Sequence, residues 1–142
     1  MKLVLGLSFI FAFAVFSVVG KVFAPCELYQ ELKQITTDKE LLRNWMCLVD
    51  NESKFKTNAK NVNTNGSTDY GLFQINDKFW CAADKAGKDC NIMCSKLMDD
   101  SIADDINCAK IIYKRHGFTA WVAWTNYCKN NAKALAKYDN CK

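Results

Sequence analysis

Two acidic residues, Glu52 and Asp69, lie in the segment DNESKFKTNAKNVNTNGSTDYGLFQIN, and their local surroundings differ. Glu52 continues an apolar series at helical spacing, since it follows Trp45 by seven positions and Val49 by three. Asp69 follows an Asn-Gly turn and has small polar neighbours. Burial among apolar groups disfavours the charged form of a carboxyl and raises its pKa, whereas a carboxyl with hydrogen-bonding partners stays ionised. The pattern therefore predicts one acid that holds a proton and one that is negative.

A protonated carboxyl and an ionised carboxyl together suit the hydrolysis of a glycosidic bond. One protonates the leaving oxygen, and the other stabilises or attacks the sugar. The alternative interpretation is two solvated surface charges. Other hydrolytic chemistry has less support, because GxSxG, HExxH and a Gly-rich phosphate loop are all missing from the sequence. His116, the single histidine, is interpreted as an exposed residue at the end of a helix.

The residues that precede Glu52 predict two helices. Pro25 suits the first turn of a helix that runs to about Gln34. Thr37 and Glu40 have the spacing of a capping box, and the apolar residues after them recur with helical period. A second helix is therefore expected to begin near Thr37 and to carry Glu52 close to its end.

The residues around Asp69 predict a small sheet. Asn65-Gly66 is a strong hairpin signal, and STDYGLFQIN after it is predicted as a strand. Helical patterning returns over residues 101–113, and TAWVAW and NNAKALAKY predict short helices. The expected fold class is α+β, with a helical lobe beside a small antiparallel β lobe.

Residues 1–20 have the composition of a secretory signal peptide. The segment has a basic start, an apolar run and small residues before Lys21. An uncleaved anchor is the alternative, but the run is short for a membrane span. We expect a secreted chain of residues 21–142 without a membrane anchor. Its 18 basic and 15 acidic residues favour an anionic surface such as a bacterial wall, and the sequence lacks the basic stripe of a nucleic-acid-binding protein.

Eight cysteines follow the predicted signal peptide, and an even number in a secreted chain predicts four disulfides. Spacing alone does not choose among the many pairings. A metal cluster through Cys90 and Cys94 is the alternative, disfavoured by the oxidising compartment and the single histidine. A chain of this length is expected to form one domain and one core.

Several segments closely resemble the animal-type (c-type) lysozymes, insect ones in style, of the lysozyme/lactalbumin family. They are KVFAPCEL, NWMCLVDNES, NGSTDYGLFQIN, AWVAW and all eight cysteine positions. The resemblance spans residues 21–142 and implies a lysozyme-like fold with a cleft between the two lobes. It also implies the pairs Cys26–Cys141, Cys47–Cys128, Cys81–Cys94 and Cys90–Cys108.

The resemblance implies catalytic roles for both acids, Glu52 as general acid and Asp69 as nucleophile or electrostatic stabiliser. It implies further positions that contact sugar, orient Asp69 or pack against the acid, for which ordinary core or turn packing is the alternative: Asn63, Ser67, Gln74, Asn76, Trp80 and Trp121. Phe79 departs from vertebrate members, which usually carry Trp there; a phenyl ring still stacks on a sugar but lacks the indole donor.

The expected function is that of a secreted glycoside hydrolase, a peptidoglycan N-acetylmuramidase. It would cleave the β-1,4 bond between N-acetylmuramic acid and N-acetylglucosamine with retention, with weak action on chitin, in antibacterial defence or in digestion. The expected partner is bacterial cell-wall peptidoglycan and the expected state is a monomer. The alternative is a non-catalytic lactalbumin-like protein that binds carbohydrate or a partner; such members typically lose a carboxylate or the sugar-contacting residues.

A calcium site is expected in CSKLMDDSIADDINC, although catalysis requires no cofactor. Calcium prefers carboxylate and carbonyl oxygens. The spacing matches the calcium loop of lactalbumins and of the minority of lysozymes that bind calcium, with carboxylates from Asp99, Asp104 and Asp105 and carbonyls from Lys96 and Ser101. The alternative is acids that merely stabilise a helix N-terminus. The predicted role of the ion is structural.

Overall fold

The computed structural model describes residues 20–141. The predicted signal peptide therefore lies outside the described residues, apart from Gly20. Five α-helices are α1 (Pro25–Leu32), α2 (Lys39–Ser53), α3 (Ala103–His116), α4 (Val122–Tyr127) and α5 (Ala132–Leu135). Three short 3₁₀ helices span Cys94–Met98, Gly117–Ala120 and Ala136–Tyr138. No helix within residues 20–141 is both long and apolar enough to cross a membrane.

The start of α2 differs from the sequence prediction. Asp38 is the N-cap residue, and its carboxylate accepts a hydrogen bond of 2.9 Å from the backbone N–H of Leu41. A side-chain oxygen at this position satisfies one of the free N–H groups of the first turn. Thr37 lies one residue before the cap, so the predicted capping box with Glu40 is wrong. The helix still ends at Ser53 and carries Glu52 in its last turn.

A three-stranded antiparallel sheet forms the β lobe, with β1 (Lys60–Val62), β2 (Thr68–Tyr70) and β3 (Ile75–Asn76) in sequence order. In the register, Asn61 pairs with Asp69, and Asp69 pairs with Asn76. The central strand β2 therefore holds Asp69 between two strands that also carry asparagines.

The predicted continuous strand over STDYGLFQIN is wrong, because the chain turns between β2 and β3. Gly71 and Gln74 adopt positive φ angles of 74° and 48°, and the N–H of Gln74 donates to the carbonyl of Gly71. A continuous strand would send consecutive side chains to opposite faces. The turn instead allows both Leu72 and Phe73 to be fully buried in the core.

The core surrounds α2, and Trp45 lies at its centre with no exposed surface. Its indole ring contacts the rings of Phe73, Phe118 and Trp121 at centroid distances of 5.7, 4.9 and 5.5 Å, each edge to face. Aromatic pairs at these distances add to the stabilisation from burial alone. The helix that carries Glu52 is therefore held by rings from both lobes.

Four disulfides cross-link the described residues, with the pairing that the resemblance implies: Cys26–Cys141, Cys47–Cys128, Cys81–Cys94 and Cys90–Cys108. The described chain has no free cysteine, so the metal-cluster alternative does not apply there. Cys47–Cys128 joins α2 to the residue after α4, which fixes the two helices that flank the carboxyl of Glu52.

Candidate active site

A cleft of about 490 Å³ is lined by residues from the sheet, from α2 and from the start of α4. The last turn of α2 supplies Glu52, and β2 supplies Asp69. A second arm of about 540 Å³ is lined by the same two carboxylates and continues away from them. Glu52 and Asp69 therefore lie where the two arms meet, which would be the middle of an extended ligand.

The predicted substrate residues all line the first arm of the cleft. They are Asn63, Ser67, Gln74, Asn76, Trp80 and Trp121. The fold thus brings together residues that are spread over almost sixty positions of sequence. Phe79 lines the same arm with 56 % of its surface exposed, which leaves a free ring face beside Trp80.

The carboxyl of Glu52 is largely buried, and its pKa is shifted from the ordinary value. Burial and, secondly, the negative charge of Asp69 raise the pKa of Glu52 to about 7, while a hydrogen bond from the backbone N–H of Ala123 acts in the opposite direction. Desolvation opposes the charged form, and a neighbouring carboxylate repels it. Near neutral pH a large fraction of Glu52 therefore holds a proton that it can donate.

Asp69 is surrounded by hydrogen-bond donors. Asn63 Nδ2 donates to Asp69 Oδ2 at 2.8 Å, and Asn76 Nδ2 donates to Asp69 Oδ1 at 2.7 Å. The same two amides also donate to the hydroxyl oxygen of Ser67, at 3.2 and 2.9 Å. Hydrogen bonds from both sides compensate the negative charge and fix the plane of the carboxylate. The two acids thus have the different surroundings that their sequence contexts predict.

Two other predicted residues have clear structural partners. The amide nitrogen of Gln74 donates to the carbonyls of Ala59 and Gly71, at 3.1 and 2.9 Å, and this ties the turn after β2 to the chain before β1. The indole N–H of Trp121 donates to the carbonyl of Phe73 at 2.9 Å. Trp121 is buried, so its contribution to the cleft is an apolar wall on the side of α4.

Trp80 lines the first arm and lies against the end of α3. The ring centroids of Trp80 and His116 are 5.8 Å apart. The guanidinium carbon of Arg115 lies 5.7 Å from the centroid of the Trp80 ring. His116 is the last residue of α3 and is exposed, as the sequence predicts. A guanidinium near the face of an indole is attracted by the ring, which orients the Trp80 side chain.

Sequence reasoning missed Ala123, whose backbone N–H donates a hydrogen bond to Glu52. The methyl side chain of Ala123 has no functional group that could have indicated this role. It also missed the second arm, whose lining includes three lysines, Lys54, Lys56 and Lys60. The lysines are visible in KFKTNAK, but the sequence does not indicate which surface they share. A backbone donor has no signature in the sequence at all.

The predicted calcium segment surrounds the start of α3. Asp105 is only 1 % exposed, and its Oδ2 atom has no hydrogen-bond partner. Burial raises the pKa of Asp105 to about 8, with smaller contributions from the charges of Asp99 and Asp104 and opposing hydrogen bonds from the backbone N–H groups of Asp105 and Leu72. Asp99 Oδ1 accepts the N–H of Ser101 at 2.9 Å.

The donors of this segment fit a hard cation in chemistry, because all are oxygens and one is an unpartnered buried carboxylate oxygen. They are not gathered around one point: within residues 20–141 no group of three or more Asp, Glu, His or Cys side chains has an arrangement that could hold a metal ion.

Comparison with known proteins gives a consistent set of relatives. The model of the C-type lysozyme/alpha-lactalbumin family matches residues 21–141. Lysozyme c-1 of Anopheles gambiae is 51% identical over 122 residues, which cover 86% of each chain. The lysozyme of Galleria mellonella is 52% identical over 123 residues, 85% of this chain and 100% of the relative.

A solved structure of a calcium-binding lysozyme from equine milk is similar along most of the chain. It superposes with a TM-score of 0.76 at 45% sequence identity, and the match covers 86% of this chain and 99% of that one. Identity at this level over nearly the whole relative supports the fold and the family together.

Proposed function

The chain belongs to the C-type lysozyme/alpha-lactalbumin family and has lysozyme-type glycoside hydrolase activity, and from that premise we propose that Glu52 and Asp69 are its catalytic carboxylates. The observation that supports this assignment is the pair's position where the two cleft arms meet, with opposite electrostatic surroundings. The family is itself the type case for this division of roles between two acids. The substrate is peptidoglycan, cleaved at the β-1,4 bond between N-acetylmuramic acid and N-acetylglucosamine.

In the proposed reaction the proton of Glu52 moves to the glycosidic oxygen as the bond from that oxygen to the sugar carbon breaks. Asp69 stabilises or attacks the positively charged sugar that this step produces. The Glu52 carboxylate then accepts a proton from water, whose hydroxyl completes the hydrolysis with retention. The raised pKa of Glu52 supplies the proton near neutral pH, and the N–H of Ala123 stabilises the carboxylate once the proton has left.

The remaining residues of the first arm would orient the reactants. Asn63 and Asn76 hold the carboxylate plane of Asp69 through their short hydrogen bonds. Trp80 and the exposed ring of Phe79 offer apolar faces on which pyranose rings stack. A Phe79 ring has no N–H, so a sugar hydroxyl at this position finds one donor fewer than an indole would give.

The non-catalytic, lactalbumin-like alternative is not favoured. Both carboxylates are present and line the same open cleft. The curated relatives with about half of their residues identical are lysozymes. We further propose that residues 1–20 are removed, that the mature protein is secreted, and that it acts as a monomer in defence or in digestion.

Clearance of a bacterial wall suspension, measured as turbidity across pH, tests the assignment. Glu52→Gln keeps the shape of the side chain without an ionisable proton, so lysis should fall by at least about 10²-fold. Circular dichroism of the variant checks that it is folded. If a folded Glu52→Gln protein clears the wall at the wild-type rate, Glu52 is not the general acid. If Asp69→Asn retains full activity, Asp69 has no catalytic role.

We also propose a structural calcium site at the start of α3, with carboxylates from Asp99, Asp104 and Asp105 and carbonyls from Lys96 and Ser101. The supporting observation is the unpartnered, buried Oδ2 atom of Asp105. Because the donors are not gathered around one point, binding would have to draw them together. A bound cation would then compensate the charges of Asp99 and Asp104, favour the ionised form of Asp105 and give its Oδ2 atom a partner. The ion would stabilise the fold and take no part in the reaction.

Thermal melts with excess EDTA and with millimolar Ca²⁺ test this site. An ion at 100 times its dissociation constant raises the free energy of unfolding by about 2.7 kcal/mol, which appears as a higher midpoint. Asp104→Asn should reduce that difference. Coincident melts, together with no heat of Ca²⁺ binding in calorimetry, would rule the site out.

A further inference from the structure

The second arm of the cleft is cationic. Lys54, Lys56 and Lys60 all line it, and its acidic lining residues are the two proposed catalytic groups themselves, Glu52 and Asp69. The lysines outnumber the carboxylates, and because Glu52 holds a proton over part of the neutral range, the charges of Lys56 and Lys60 alone exceed the remaining carboxylate charge. An occupant of this arm therefore meets a local excess of positive charge.

The backbone directs these lysines to one surface. Lys54 and Phe55 adopt left-handed conformations, with φ angles of 54° and 64°, directly after α2 ends. The chain turns there and continues into β1, whose first residue is Lys60. The turn thus brings three lysines that follow Glu52 in sequence beside the carboxylates.

Two of the three lysines have unneutralised charges in the part of the chain that the structure describes. Lys54 Nζ pairs with Asp50 Oδ1 at 3.2 Å. Lys56 and Lys60 take part in no ion pair within residues 20–141. Lys60 Nζ lies 5.4 Å from the ring centroid of Tyr70, its partner across the strands, which positions the ammonium without neutralising it.

The first arm has a different character. Its lining includes four side-chain amides, three aromatic rings and five aliphatic side chains, and Lys78 is its single charged residue besides the two carboxylates. Lys78 Nζ lies 5.4 Å from the centroid of the exposed Phe79 ring. Amides and rings suit neutral N-acetylated sugars, so the two arms are built for different chemical groups.

We infer that Lys56 and Lys60 bind carboxylate groups attached to the glycan, and that they direct the enzyme towards strands with free lactyl or peptide-stem carboxylates over neutral chitin-like strands. This inference rests on the proposed function, because it assumes cleavage at the Glu52–Asp69 pair. Complementary charges at a binding surface contribute more to selectivity and to association rate than to affinity.

The alternation of sugars in peptidoglycan places such a carboxylate in the second arm. Every second sugar is an N-acetylmuramic acid, whose lactyl group carries either a free carboxylate or a peptide stem with its own carboxylates. Two consecutive sugars on either side of the cleaved bond always include one of these residues. The lysine arm therefore meets an anionic group whichever direction the strand takes through the cleft.

The experiment compares Lys56→Gln/Lys60→Gln with a matched control, Lys85→Gln/Lys133→Gln, in which two exposed lysines outside the cleft lining are neutralised. Both double variants lose the same net charge, so general attraction to an anionic polymer changes equally. The substrates are purified peptidoglycan strands with free carboxylates, the same strands after carbodiimide amidation, and a neutral N-acetylglucosamine hexamer. The readout is kcat/KM on each anionic substrate divided by kcat/KM on the hexamer.

For the cleft variant, that ratio on free-carboxylate strands should fall about three- to tenfold relative to the control, as expected for two partly screened charge pairs. Amidation should abolish the difference, and raising the ionic strength should reduce it. An equal ratio in both variants, or a difference that survives amidation, would overturn the inference. So would a difference seen only on intact walls that retain phosphate polymers, because phosphate would then be the ligand.

Failure of this inference is distinguishable from failure of the proposed function. If the wild type cleaves peptidoglycan strands and the two variants give equal ratios, the catalytic assignment of Glu52 and Asp69 stands. The assignment of Lys56 and Lys60 to carboxylate binding is then wrong. Absence of cleavage in every substrate by the wild type would overturn both.

Discussion

The replacement Glu52→Gln should increase stability at high pH while it lowers activity by at least about 10²-fold. The pKa of Glu52 rises from 4.5 to about 7 in the folded protein, chiefly because the carboxyl is largely buried and secondly because of the charge of Asp69. At about 1.4 kcal/mol for each pH unit, this rise corresponds to about 3 kcal/mol. A glutamine amide cannot ionise, so the variant does not bear this cost.

The sign of the effect follows from proton binding in the two states. Between pH 4.5 and about 7 the folded protein retains the proton of Glu52 while the unfolded chain has lost it. Stability falls with increasing pH wherever the folded state binds more protons. The favourable contribution of Glu52 is therefore fully present below pH 4.5, decreases through this window and is lost above about pH 7.

Denaturant unfolding of both proteins at about pH 3.5 and about pH 8.5 measures the effect. We subtract the free energy of unfolding of the wild type from that of Glu52→Gln at each pH. This difference should be about 3 kcal/mol larger at the higher pH than at the lower pH. Other titrating groups, including Asp105, are common to both proteins and cancel in this difference. A difference independent of pH would show that the folded and unfolded proteins ionise Glu52 equally, and would refute the proposed origin of its catalytic proton.

The pH profile of kcat/KM should show a basic limb near pH 7, where Glu52 loses its proton, and the residual activity of Asp69→Asn should have this limb at lower pH because a repelling charge is gone. Asn76→Ala removes a 2.7 Å hydrogen bond to Asp69 and should lower kcat/KM about tenfold or more with little change in fold, as steady-state kinetics and circular dichroism would show. Gly71→Ala should lower the free energy of unfolding by about 3 kcal/mol or more, because φ is +74° and a Cβ would lie 1.8 Å from the Leu97 carbonyl oxygen. Gly66→Ala is the control for this change, since φ is +83° but no atom lies within 4 Å, and its cost in chemical denaturation should be only about 1–2 kcal/mol; equal losses at the two glycines would contradict the steric explanation.

Local patterns in the sequence predicted most of the helical lobe. Apolar residues at helical spacing identified α2 and the stripe from which Glu52 projects, and the hairpin signal Asn65-Gly66 identified the connection between β1 and β2. These features depend on residues within a turn or two of each other, so a linear pattern contains the required information. The choice between Thr37 and Asp38 as the cap failed because both residue types suit that position.

The pairing of the cysteines followed from family resemblance, since spacing left it open, and only the fold brings Cys26 beside Cys141 across 115 positions. The break in the predicted strand after Tyr70 also needed the tertiary structure, because alternation alone does not reveal that Leu72 and Phe73 must both enter one core.

The functional site, like the fold, has features that the sequence determined and others that only the tertiary structure decided. The sequence determined that Glu52 and Asp69 have apolar and polar neighbours, respectively. Only the folded chain decided that they share a cleft, that the N–H of Ala123 reaches Glu52, and that Lys56 and Lys60 line the second arm. Electrostatic interactions depend on distance in space and on exclusion of water, and neither quantity is contained in the order of residues along a chain.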